Sequence, residues 1–323
     1  MMRIGIVGGG IAGLACAEEL TRLGHAVLLF DKGRGPGGRM STRRIQTSAG
    51  EAYFDHGAQY FTVRDDSFRR QVTAWVSEGV VAVWPSAGSD AYVGVPAMNA
   101  PVRLIADGQT VQWGMQVMQI EALEGRRWRL VLDGSDAVDV DIVVVATPSE
   151  QASDLLVSVA PDFSAQARTV VSAPCWTLML AFAEAVAVPQ DCWRGEDIIG
   201  WAARNSAKPG RIGLESWVVQ ASPGWSRLHV EAEPVWITTV LKEALSNMLA
   251  IPLPPVVGEI CHRWRFARSG ADGSGALFDR NRRIGLCGDW LLGPRVEAAW
   301  LSGKALAEQI RLDEGSGLIE PVP

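Results

Sequence analysis

Three hydrophobic rhythms follow one another along this chain. Near the start, Arg3-Ile4-Gly5-Ile6-Val7 is an apolar run, and Ala26-Val27-Leu28-Leu29-Phe30 is a second. Between them Ile11, Leu14, Ala15, Ala17 and Leu20 recur at helical spacing, with a stop near Gly24. The prediction is strand, helix, strand. Val140 to Val145, ended by Ala146-Thr147-Pro148, has the same buried character as the first two runs. Strands that are apolar at nearly every position fit a parallel sheet covered on both faces.

The second rhythm is amphipathic. Residues 66–79 place Phe68, Val72, Trp75 and Val76 on one helical face, residues 80–95 read as short strands, and Asn99 to Ala106 reads as a helix. Strand-like runs follow at 110–120, 127–133 and 138–147. From about 149 to 275 the chain changes to Pro-punctuated strands (174–184, 197–204, 212–220) with one clear helix near 234–250. Trp176, Trp193, Trp201, Trp217, Trp225, Trp236 and Trp264 all fall in this part. The third rhythm returns to the first. Arg283 to Cys287 is a short strand ending in Gly288-Asp289, and Pro294 suits the start of a last helix running to about Leu312.

These patterns predict an α/β chain with two domains. A Rossmann-like dinucleotide-binding domain is expected from 1–65, 97–148 and 276–313, because the last strand–helix unit would complete the first sheet. A mixed α+β substrate domain is expected from 66–96 and 149–275. Residues 314–323 are expected to be a frayed tail.

Composition narrows the function classes. The chain has 323 residues, 48% of them hydrophobic, and a net charge of −6, which speaks against nucleic acid as a partner. No apolar run approaches the ~20 residues that span a bilayer, and the apolar start is the first strand rather than a signal peptide. Five scattered cysteines without a CxxC pair fit a reducing, cytoplasmic setting, and the four histidines have no metal spacing. Oligomeric state is left open.

The candidate chemistry begins at Gly8-x-Gly10-x-x-Gly13, between the first strand and its helix, with Asp31 placed 23 residues after Gly8. Gly8 allows a tight turn, Gly10 a close approach of a pyrophosphate, and Gly13 close helix–strand packing. The helix N-terminus at Ile11 and Ala12 offers N–H groups and a positive dipole end to phosphates. Asp31 can accept from ribose hydroxyls. A second glycine cluster, Gly33 to Gly38, precedes Arg39-Met40-Ser41-Thr42. Gly37-Gly38 lets backbone approach a ligand, and Arg39 can reach a phosphate. A domain that binds only a diffusing nicotinamide does not need this element.

Together these segments resemble the flavin-containing amine oxidase superfamily. Within it, Gly38-Arg39-Met40-Ser41-Thr42, the stretch Asp55-His56-Gly57-Ala58-Gln59-Tyr60-Phe61-Thr62, and Arg263-Trp264-Arg265 are similar to the renalase family. The resemblance implies non-covalent FAD. It places Gly8, Gly10 and Gly13 at the pyrophosphate, Asp31 at the adenosine ribose and Arg39 at a phosphate, with Ile11, Ala12, Lys32, Gly38 and Met40 as further cofactor-binding residues. Asp289 would hold the ribityl or pyrophosphate region, the backbone at Val296 the flavin pyrimidine carbonyl, and Gln59 the cofactor from another side.

The activity it implies is oxidation of 2- or 6-dihydro-NAD(P) isomers to NAD(P)+, with O2 reduced to H2O2. Gln59, Tyr60, Asn205, Trp217, Trp225, Arg265 and Trp290 are the candidates for the substrate site, and His229 and His262 for acid–base work. An amine or related C–N oxidase on the same scaffold is the alternative, and a non-catalytic protein of this fold is a lesser one. The amine oxidase pattern usually has a lysine near flavin N5 and a pair of tyrosines. Here only Lys208 and Lys304 are arguable, Lys304 is expected to face solvent, and Tyr occurs only at 53, 60 and 92.

Overall fold

The apolar runs of the sequence become the centre of a six-stranded sheet. Its order is Leu277–Asp279, Ile284–Leu286, Ile142–Val145, Arg3–Val7, Ala26–Asp31 and Val111–Trp113. Neighbours pair in parallel except Leu277–Asp279, which runs antiparallel at the edge. Ile4, Ile6, Val143, Val144 and Ile284 are all buried, because helices and a three-stranded sheet take up the two faces. From Arg3–Val7 the chain goes to Ala26–Asp31 on one side and later to Ile142–Val145 on the other. The direction of winding therefore reverses at the C-terminal end of Arg3–Val7, the position where open α/β sheets bind ligands.

The computed structural model describes residues 1–316. They divide into two compact units, one of Met1–Gly38, Val102–Val171 and the chain from Ser269 onward, the other of Arg39–Pro101 and Ser172–Arg268. These boundaries differ from those expected. Residues 39–65 and 97–101 lie in the second unit, because the hairpin Thr42–Thr47/Gly50–Asp55 buries Ala52 and Phe54 against Met179, Ala181 and Val218. Residues 149–171 and 269–275 lie in the first. Helices Ser149–Leu156 and Pro161–Arg168 bury Ala152, Leu156 and Ala167 with Val143, Val145 and Ile284. The last helix runs from Val296 to Ser316; residues 317–323 of the tail expected to fray lie outside the described residues.

The second unit is built on a five-stranded antiparallel sheet in the order Cys192–Arg194, Ile199–Arg204, Glu215–Ala221, Ala173–Phe182, Val256–Arg268. One face, with Leu178, Leu180, Phe182 and Trp217, packs on helix Pro234–Leu249 through Ile237, Leu241 and Leu245. The other face is apolar under the hairpin. It then turns polar along one cross-strand row, Trp201–Gln220–Thr177–His262. Among the described residues no helix is long and apolar enough to cross a membrane, and no group of His, Cys, Asp and Glu could hold a metal ion.

Candidate functional site

Where the chain leaves Val7, three glycines stand for three different reasons. Gly8 has φ +112°, and a Cβ on it would lie 2.6 Å from the Ala146 carbonyl oxygen. A Cβ on Gly13 would lie 2.0 Å from the Gly8 carbonyl oxygen, so only glycine lets the helix meet the turn. Gly10 differs, because no atom lies within 4 Å of where its Cβ would be. Nothing inside the protein asks for glycine there. The requirement belongs to whatever fills the open space beside it.

The helix Ile11–Arg22 that starts at Gly10 has no side-chain cap and no acidic residue in its first turn. Its first N–H groups and the positive end of its dipole are therefore left for an external anion. Asp31 accepts from the N–H groups of Gly9 and Gly33, both at 2.6 Å. The carboxylate ties the glycine turn to the next loop, and each oxygen keeps a lone pair for a hydroxyl group. Thr147, at the neighbouring strand end, has a buried hydroxyl with no partner. Asp289 is buried and accepts from Ser269 Oγ at 3.0 Å. An open glycine, an uncapped helix and an orphaned hydroxyl at the winding reversal fit a dinucleotide.

Not every expected contact of this unit faces that space. Trp290 is fully buried, and its Nε1 donates to the Thr147 carbonyl at 3.2 Å. It is a core residue, which corrects its assignment to the substrate site. Ile11 and Ala12 have buried side chains, so only their backbones are available, while Lys32 is exposed. Val296 opens the last helix as expected, but the next residue, Glu297, is a buried carboxylate held by Arg295 at 2.6 Å. That helix end thus carries its own ion pair besides its dipole.

In the second unit the stretch from Asp55 to Phe61 is laid across the polar row of the sheet. A Cβ on Gly57 would lie 2.0 Å from the Arg39 carbonyl oxygen, which also accepts from Ala58 N–H at 2.8 Å. Gln220 Nε2 donates to the Gly57 carbonyl at 2.7 Å. The Gln59 amide is engaged at both ends, donating to the Asp55 and Gly57 carbonyls and accepting from Lys208 Nζ at 3.2 Å. Gln59 therefore holds the loop's shape. Tyr60 packs on Trp201 at 5.5 Å. Met40 is buried, so it supports the loop from within rather than meeting a ligand.

Beneath the loop is a buried charge cluster that the sequence did not reveal. Asp55 Oδ2 takes Lys208 Nζ at 3.1 Å and Arg211 Nη2 at 2.6 Å, and all three side chains are essentially fully buried. Burial raises the Asp55 carboxyl, but Lys208, Arg211 and the Thr42 hydroxyl outweigh it and hold the group well below the usual carboxylate range. Burial pulls Lys208 down to about 8, against the opposing pull of Asp55.

A second cluster lies at the end of the row. His56 stacks on Trp264 at 5.1 Å, and His262 meets both rings edge-on at 5.3 and 4.6 Å. Trp264 Nε1 donates to the His56 carbonyl at 2.9 Å. Burial, with Arg43 nearby, depresses both imidazoles to about 4, so they are neutral near pH 7.

The other substrate-site candidates are scattered. Asn205 is fully buried, accepting from Asp55 N–H at 3.2 Å and donating to the Tyr53 carbonyl at 2.9 Å, so it is a brace for the hairpin. Trp217 is fully buried, stacked on Trp193 and bonded to Glu215, which makes it core. Trp225 stacks on Trp236 and His229. Arg265 is exposed and paired with Glu231. Lys304 is paired with Glu19 at 2.6 Å and is not a free solvent-facing lysine. A count of tryptophans signals burial; it does not say which ring faces a ligand.

A family model described as an NAD(P)-binding Rossmann-like domain matches residues 6–75. Two solved structures are similar over nearly the whole chain. A protein named as a protoporphyrinogen oxidase from Exiguobacterium sp. 255-15 has a TM-score of 0.73 at 13% identity, covering 96% of this chain and 99% of that one. Cyclohexylamine oxidase from Brevibacterium oxydans IH-35A has a TM-score of 0.69 at 12% identity, covering 98% and 99%. The fold is that of these two oxidases. At such identities the likeness is one of fold, and it agrees with the α/β architecture and Rossmann-like unit that the apolar runs predict.

Proposed function

We propose that this chain is an FAD-dependent oxidase of the renalase type, converting 2- or 6-dihydro-NAD(P) isomers to NAD(P)+. The observation that carries the cofactor half is Gly10, whose missing side chain leaves open space at an uncapped helix end. When bound there, FAD supplies a hydride acceptor at N5 and passes the electrons to O2, giving H2O2. The chain's own part is to hold and orient. The N–H groups of Ile11, Ala12 and Gly13 would take the phosphates. Asp31 would take a ribose hydroxyl, and Asp289 the ribityl or pyrophosphate region.

The substrate half rests on which side chains are engaged elsewhere. A dihydronicotinamide becomes aromatic on losing hydride, so its site needs no strong base and must mainly position a planar ring. His56, His262 and Trp264 offer neutral rings for that task. Most of the lysines and tyrosines that amine oxidation would draw on are committed. Lys208, Lys242 and Lys304 pair with carboxylates. Tyr53 bonds Glu51, and Tyr60 bonds Arg194.

What favours the amine reading is the fold shared with a cyclohexylamine oxidase. Aerobic assays with each dihydronicotinamide isomer and with cyclohexylamine separate the two. Equal amounts of NAD(P)+ and H2O2 from an isomer are expected. Peroxide from the amine alone would replace this reading with the second.

A further inference from the structure

Two buried indole N–H groups in the second unit have no acceptor. Trp84 is 2% exposed and Trp201 8%, and the Nε1 of each makes no hydrogen bond. Their rings meet edge to face at 6.4 Å. Such orphans are rare in native proteins, because a buried donor loses hydration that nothing replaces. Two in one contact call for an acceptor.

The surroundings say what kind. Arg194 lies over the Trp201 ring at 5.0 Å and the Tyr60 ring at 5.7 Å, and its Nη2 donates to the Tyr60 hydroxyl at 2.8 Å. Lys208 Nζ stands 5.2 Å over the Trp84 ring. Lys208 and Arg211 share the single carboxylate of Asp55, so the cluster carries more positive than negative charge. Asp191, two residues after which the strand of Trp193 and Arg194 continues, is engaged by Arg204 and by the Ser86 hydroxyl. An excess of cations favours an anion over a lone water. Arg194 is exposed and can turn, which makes it the movable outer wall.

We propose that Trp84, Trp201 and Arg194 form a subsite for a phosphate group. Under the function proposed above, on which this identification of the ligand rests, it is the phosphate of the dihydronicotinamide nucleotide. A guanidinium fork and indole donors match the several acceptor oxygens of a phosphate.

The test titrates the FAD-loaded protein with inorganic phosphate, read by tryptophan fluorescence and calorimetry, in wild type, W84F, W201F and R194Q. The phenylalanine variants keep an aromatic ring, smaller than indole, and remove the N–H groups, and an unchanged Tm checks that packing survives. Saturable binding is expected, weakened about tenfold or more in W201F and R194Q. R194Q should also raise KM for dihydronicotinamide mononucleotide while leaving KM for the phosphate-free riboside unchanged. Phosphate binding that is absent or equal in all variants, as when each indole holds only a buried water, overturns the proposal. So does an equal change for both substrates. Should neither substrate be oxidised while phosphate still binds with the expected variant dependence, the functional reading falls and the subsite stands.

Discussion

Gly10→Ala is expected to leave the fold intact and to weaken the protein's hold on flavin. No protein atom lies within 4 Å of the added methyl group, so the apoprotein should unfold at the wild-type temperature. The proposed pyrophosphate would meet that methyl group directly. Overpacking of this kind costs about 1–3 kcal/mol, which lowers FAD affinity by roughly tenfold or more. Gly13→Ala provides the contrast. Its methyl carbon would sit 2.0 Å from the Gly8 carbonyl oxygen, so the turn and helix must separate even without a ligand. This variant should lose both stability and flavin. Thermal melts of the apoproteins and the flavin released on denaturation check both. A lowered apoprotein Tm for Gly10→Ala, or undiminished flavin, would show that Gly10 does not serve a ligand.

Asp55→Asn should be the most damaging substitution in the second unit. It keeps the shape, and with it an acceptor for the Thr42 hydroxyl and Met98 N–H, now at 2.7 and 3.1 Å. What it removes is the one carboxylate facing Lys208 and Arg211. A buried charge stripped of its partner costs about 3–5 kcal/mol. Lys208→Met leaves Asp55 paired with Arg211, and should cost about 1 kcal/mol or less by the same reasoning. Denaturant unfolding measures both, and equal losses in the two variants would refute this charge accounting.

The same cluster makes stability depend on pH in a defined sense. Lys208 titrates near 8 in the folded protein, against an ordinary lysine value of 10.5. Between those values the unfolded chain binds a proton that the folded one has lost. Stability therefore rises with pH across that window. Unfolding curves at the two ends should show the rise in wild type and its absence in Lys208→Met. Asp55 acts in the same sense in a lower pH window. Its carboxyl is held below the ordinary carboxylate value of 3.8, so the stability it gives is present above that value and falls away as acid is added.

The first unit could be read from the chain because its signals are local. The glycine turn, its helix and Asp31 occupy consecutive residues, and each element is apolar with the period its structure needs. Even the distant return of Ile284–Leu286 announced itself as a strand followed by Gly288-Asp289. The second unit was less legible. Asp55 meets Lys208 and Arg211 across 153 and 156 residues, and no spacing rule links them. His56, His262 and Trp264 come together only because the loop after Asp55 crosses the sheet at that row. The short helices at 149–168 escaped because each shows barely two turns of pattern. Trp217 and Trp290, candidates for the substrate site by sequence, lie in the core, because composition does not say which way an indole faces.

Under the proposed function, a flavin held at Gly10 is reduced by a misplaced-hydride nicotinamide. The decisive measurement is anaerobic mixing of the flavin-loaded protein with defined 2- and 6-dihydro-NAD(P) isomers. One isomer is expected to bleach the flavin absorbance within seconds, with NAD(P)+ formed in equal amount, while amines leave the colour unchanged. A preparation that is bleached by amines and untouched by both isomers would contradict it.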